Sequence, residues 1–185
     1  MEQIQRPKIV TSALINRHNK ILLIKRKKAP EQNKWALSGG VGSFDRYPNP
    51  EFAIQDEVMY DLGVKFNVES FYNYSFYVNE SGPAIVLHFL GTISGKIEPN
   101  QNEVVEWKFF SKEDLENMSE KDFAFDHYQV LKNYFKEVDT TNMEDQNDII
   151  LHKSQKRNFL PFRSQREISK AVQLQKTGKA NLRAS

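Results

Sequence analysis

A chain of 185 residues with 39% hydrophobic content, 13 Phe and 7 Tyr has material for one core plus an appendage. It has no cysteine, which excludes disulfides, thiolate metal sites and a cysteine nucleophile and fits a cytoplasmic protein. The net charge of +2 is unevenly divided: Leu151–Ser185 carries nine Lys/Arg against one Asp/Glu, and Met1–Ile150 carries 17 against 23. A basic tail on an acidic body points to contact with nucleic acid or an acidic partner, or to docking back onto the body. No apolar run approaches the ~18 residues of a membrane span, and MEQIQRPK lacks the apolar segment of a secretory signal.

In chain order, Lys8–Ile15 (KIVTSALI) and Lys20–Lys25 (KILLIK) read as two strands of a hairpin broken at Asn16-Arg17-His18-Asn19. The run Lys25-Arg26-Lys27-Lys28 then reads either as a solvated strand end or as a cluster facing phosphates. Trp35–Val64 follows as a strand end, a glycine-rich loop and a helix over Pro50–Leu62. Pro50 suits the first helical turn, where its missing N–H costs nothing, and Gly63 is the expected stop. Ala53, Ile54, Val58 and Leu62 share one side, which predicts a packed face. Glu57 and Asp61 are four apart, so both carboxylates leave the same helical face and can share a divalent cation.

Phe66–Val78 and Ala84–Ser94 are β-rich and flank the turn residues Asn79–Pro83; Glu103–Phe110 is a further strand. Ser111 and Asp114 form a capping box, and Asp126–Glu137 predicts a helix whose apolar side is Tyr128, Val130, Leu131, Tyr134 and Phe135. The domain is expected to end at residue 138. Residues 139–150 read as a polar linker and 151–185 as a basic tail, in which Ser164-x-x-Glu167 opens a short helix. The order of elements predicts an α+β fold, helices packed on a mixed sheet.

The stretch Trp35–Val64 resembles the Nudix box, whose pattern is G-x5-E-x7-R-E-U-x-E-E-x-G-U with U apolar. Glu57, Val58, Gly63 and Val64 match it, as do the paired Gly39 and Gly40. Asp61 stands for the last Glu of the E-E pair, Tyr60 for the first, and Asp56 for the Arg. Arg46 falls where the first Glu belongs, and the loop is two residues longer than the pattern. The segments LLIKRKKAPEQNKWALSGG, EVVEWKFFSKEDL and AFDHYQVL extend the resemblance over about Pro7–Val138, toward the ADP-ribose pyrophosphatase branch of the Nudix hydrolase superfamily.

The resemblance implies an α/β/α sandwich, a nucleotide-derived small-molecule ligand, Mg²⁺ or Mn²⁺ as cofactor, and cleavage of a diphosphate. It assigns metal coordination to Glu57 and Asp61 and ligand contacts to Arg26, Gly39 and Gly40. Relatives in this branch are often homodimers. The same branch contains regulators that keep the fold, lose hydrolysis and read DNA through a winged helix, for which a 35-residue tail is too short. A binding module with a basic tail therefore stands beside the hydrolase reading. Arg46 and Asp56 read either as the box's usual ion pair with its charges reversed or as two unrelated surface charges.

Glu103 and Glu106 are candidates for a ligand or general base from outside the box, with Glu106 slightly preferred. They sit an odd number of residues apart on a strand, so at most one faces the cleft. His127 reads as a helix-start histidine bonded to backbone, and His88 as a satisfied histidine of an apolar strand. Trp35, Phe71, Tyr72, Tyr74, Phe76 and Tyr77 read as mostly core, with one of them free to stack on a base.

Overall fold

The computed structural model describes residues 6–41, 47, 49–79 and 82–147. The expectations for Arg46, for the loop before Pro50 and for the basic tail therefore lie outside the described residues. No described helix is long and apolar enough to cross a membrane.

Strands β1 (Lys8–Arg17) and β2 (Lys20–Arg26) form a hairpin whose two-residue turn, His18-Asn19, has φ of 52° and 58°. Two successive positive φ values match the twist of antiparallel strands, and Asn tolerates them better than most residues. β3 (Trp35–Ala36) and β4 (Ser38–Val41) follow, then helix α1 (Pro50–Leu62), β5 (Lys65–Asn79), β6 (Gly82–Ser94) and β7 (Val104–Phe110). Helix α2 (Lys112–Glu116), a 3-10 turn at Glu120–Asp122 and helix α3 (His127–Asn147) complete the described chain.

The sheet is mixed. β1 runs parallel to β6 and antiparallel to β4, and β5 flanks β6 as an edge strand. β2 lies antiparallel between β3 and β7. Alternate residues of the central strands serve two cores. Ala13, Ile15, Leu22 and Ile24 meet Ile54, Val58 and Leu62 of α1. Leu14, Ile21 and Leu23 meet Leu131, Tyr134 and Phe135 of α3. Both faces of β1 and β2 are covered, which is why their sequences are continuous apolar runs without alternation. The result is the expected α+β sandwich of helix, mixed sheet and helix.

Three expectations are corrected. Helix α3 continues past Glu137 to Asn147, through much of the stretch expected to be a linker. No Gly or Pro interrupts it; Asp139 pairs with Lys112 at 2.5 Å, and the Thr140 hydroxyl donates to the Lys136 carbonyl at 2.9 Å. A helix that has passed the end of the core needs no apolar face. Second, Phe71, Tyr74 and Phe76 are exposed, at 42%, 65% and 58%, and are not core. They lie on the edge strand, where bulges at Val68/Ser70 and Phe71/Asn73 break the inward alternation. Trp35 is buried as expected, and Tyr72 meets Tyr134 edge-on. The third correction, Glu106, belongs to the site.

Candidate active site

Helix α1 is fixed at both ends. The Asn49 side chain accepts from the Phe52 N–H at 2.9 Å, Pro50 opens the helix, and Gly63 closes it at φ 67° with its N–H donating to the Met59 carbonyl. Ala53, Ile54, Val58 and Leu62 anchor it to the sheet, so Glu57 and Asp61 are held against β4. Gly40 lies so close to Glu57 that a Cβ there would approach Glu57 Oε2 to 2.5 Å. Gly39 is equally confined: a Cβ there would meet the Thr11 carbonyl oxygen at 2.1 Å.

A cavity of about 220 Å³ opens between α1, β4 and the ends of β2 and β7. Arg26, Gly39, Gly40, Glu57 and Asp61 line it together, as do Lys28, Tyr60 and Glu103. Asp61 is only 6% exposed and accepts from the Ser38 hydroxyl at 2.8 Å and from the Gly39 N–H. Burial pushes its carboxyl up to about 6, against the two hydrogen bonds that favour the ionised form; Glu103 raises it further and Arg26 lowers it. Burial also draws the Arg26 guanidinium below its usual pKa, and the charges of Asp61 and Glu103 oppose that shift.

Glu103, not Glu106, lines this cavity. Lys25 pairs with Glu106 across the β2–β7 ladder, but the next residue, Arg26, pairs with Val104. Val105 is thus an extra residue on β7. Glu106 sits exposed beside Lys25, 4.0 Å away. Glu103 ion-pairs with Lys28 and accepts a further bond from the Tyr60 hydroxyl at 3.3 Å. Its hydrogen bond raises the Lys28 pKa. Among the described residues, no three His, Asp or Glu side chains converge as a cation cage.

A second cavity, of about 140 Å³, shares Arg26, Gly39 and Gly40 with the first. Its other lining includes Thr11, Tyr77, Phe125 and His127. The Phe125 ring is stacked on Tyr77 (centroids 5.7 Å apart, 20° between planes), and the Arg26 guanidinium carbon lies 5.2 Å from the Phe125 centroid. Phe125 has φ 55°, a costly backbone conformation for a bulky side chain. The Thr11 hydroxyl is buried here with no protein partner. Sequence reading missed Thr11 and Phe125, because their roles come from positions far apart in the chain.

Both histidines are structural. His127 Nδ1 accepts from the Leu37 N–H at 3.1 Å, which steadies the chain just before Ser38, Gly39 and Gly40. His88 is 1% exposed and bonded on both ring nitrogens, to Ser12 at 2.6 Å and Ser75 at 3.0 Å. Burial lowers His88 to about 4 and His127 to about 3, so both rings are neutral at pH 7.

This fold and this loop–helix define a class. The NUDIX domain family model matches residues 5–134, and the chain belongs to that family. It is also 32% identical over 133 residues to an ADP-ribose pyrophosphatase of Methanocaldococcus jannaschii, covering 70% of this chain and 74% of that protein. Among solved structures it resembles a NUDIX hydrolase from Nitrosomonas europaea, with TM-score 0.63, 21% identity and 75% of each chain covered. It resembles too the NUDIX domain of Shewanella oneidensis NrtR complexed with ADP ribose, with TM-score 0.59, 16% identity, and 73% of this chain and 90% of that one covered. These last two likenesses show the fold.

Proposed function

We propose that the protein hydrolyses the diphosphate of a nucleoside diphosphate linked to a second moiety, of the ADP-ribose kind, with Mg²⁺ or Mn²⁺ held by Glu57 and Asp61. The observation that carries this reading is the shared wall of the two cavities. An acidic chamber and an aromatic, uncharged one meet at Arg26, Gly39 and Gly40. A diphosphate at that junction would place its phosphates beside the guanidinium and its organic part beside Tyr77 and Phe125.

The residues fit a hard cation. Glu57 and Asp61 supply oxygen ligands from one helix face, and the missing side chain at Gly40 lets the Glu57 carboxylate lie against the backbone. Such a cation neutralises phosphate charge and makes a bound water more acidic. Arg26 holds the phosphates, with its Nε–H fixed by the Pro30 carbonyl at 3.1 Å and its plane set by Phe125. Ser38 orients Asp61. The likeness to an ADP-ribose pyrophosphatase supports the choice of substrate class.

Tyr60, which replaces a box carboxylate, favours a second reading: binding of the same ligand class without turnover. Product release across a panel of nucleoside diphosphate conjugates with Mg²⁺ and Mn²⁺ separates the two. Release of a nucleoside monophosphate that Glu57→Gln abolishes supports hydrolysis. Tight binding with no product supports the binding module.

A further inference from the structure

Tyr60 and Lys28 explain each other. The Lys28 ammonium and the Tyr60 hydroxyl both donate to the same oxygen of Glu103, Oε1. A carboxylate oxygen offers two lone-pair directions, so that oxygen is saturated and only Oε2 is left to meet a cation. Glu103 is itself held in place: its N–H donates to the Asn100 carbonyl and its carbonyl accepts from the Lys27 N–H, at 2.9 and 2.8 Å. The carboxylate carried just before β7 therefore gives one of its two oxygens wholly to an ammonium and a phenol.

The ligand set points the same way. Glu57, Asp61 and Glu103 line the acidic cavity with Arg26 and Lys28. Among the described residues no three acidic side chains converge on one point, and the third carboxylate, Glu103, stays with its ammonium.

We propose that Lys28 is the resident cation of this site, doing through its ammonium what a second divalent ion would do, so that the cavity takes one metal ion. The proposal rests on the reading of Glu57 and Asp61 as metal ligands. A purely structural role for Lys28 is already covered by its neighbour: Lys27 ties the end of β2 to the Gln101 carbonyl at 2.6 Å. An exposed ion pair such as Lys28–Glu103 adds little to stability.

The test is a Mn²⁺ titration of the full chain, with free ion read by paramagnetic resonance, in the presence of a methylene-bridged nucleoside diphosphate that resists cleavage. The wild type saturates at one Mn²⁺. Lys28→Gln releases Glu103 and raises the count to two, and the double variant Lys28→Gln/Glu103→Gln returns it to one. Turnover of Lys28→Gln falls roughly 10²-fold while only the first site is filled, and recovers as the second fills. Two ions on the wild type at similar affinity, or one on Lys28→Gln, overturns the role of Lys28 alone. A wild type that binds no Mn²⁺, indistinguishable from Glu57→Gln, overturns the metal reading of Glu57 and Asp61 with it.

Discussion

The cavity beside α1 and the cavity beside Phe125 share Arg26, Gly39 and Gly40, yet the first gathers ionised side chains and the second neutral ones. In the first, Glu57, Asp61 and Glu103 share the lining with Arg26 and Lys28, and Glu103 pairs directly with Lys28. In the second, His127 is held uncharged by burial, and His88 lies behind it uncharged too. The difference shows how one short strand, Ser38–Val41, can serve two chemistries: its backbone is the partition, and its glycines keep the partition thin. Charge is confined to one side, and Arg26 lines both.

The largest expected effect comes from breaking the charged side. Glu57→Gln keeps the shape of the side chain and removes its charge, and turnover should fall by roughly 10³-fold while the fold is unchanged. Steady-state rates with a saturating cation, alongside a circular dichroism melt, check it. Retained turnover would mean that the charged cavity is not where the reaction occurs.

The neutral side is tested by acid. His88 titrates near 4 when folded and near 6.5 when unfolded, so the unfolded chain binds the extra proton between those values. Its contribution to stability is complete above pH 6.5 and is lost as pH falls through about 4. Between pH 7 and pH 4.5 this amounts to about 2 to 3 kcal/mol, readable by urea unfolding at the two pH values. His88→Gln should flatten the slope; an unchanged slope would show that His88 is not the buried neutral group described.

A smaller effect tests the shared wall. Arg26 stacks its plane on Phe125 while its Nε–H is held by Pro30, and Lys cannot do both. Arg26→Lys should raise KM roughly tenfold with little change in kcat, as expected for a group that binds ground state and transition state alike. A fall in kcat instead would place Arg26 on the reaction side of the partition.

How much of this was legible in sequence depends on how local the cause is. Helix α1 was readable because its stop, its first turn and its inward face all lie within Pro50–Gly63. The two-sided core was implied by the continuous apolar runs of β1 and β2. Glu106 was preferred over Glu103 because spacing says that the two face opposite ways without saying which way the cleft lies. The exposed aromatics of β5 were misjudged because Phe and Tyr mark strands without saying which strand lies at the edge. The second cavity could not be found at all: Thr11, Tyr77 and Phe125 meet only through the parallel pairing of β1 with β6, the antiparallel pairing of β6 with β5 and the approach of the chain before α3.

The finest test sets Asp61 against the histidines, because burial shifts it in the opposite sense for stability. Its carboxyl is raised to about 6 in the fold from an ordinary value of 3.8, so between these values the folded state, not the unfolded one, holds the extra proton. Its ionisation therefore costs stability that is regained as pH falls through 6. Asp61→Asn removes the charge and keeps an acceptor for Ser38 and Gly39. The variant should be more stable than the wild type at pH 7, and the gap should narrow by about 1 kcal/mol at pH 5. Saturating Mn²⁺ should reverse the comparison, because a cation stabilises only the ionised carboxyl: the wild type gains stability as pH rises through 6 and the variant does not. Metal-induced stabilisation of both proteins, equal at pH 5 and pH 7, would remove Asp61 from the ligand set and leave its burial beside Ser38 as a feature of the fold alone.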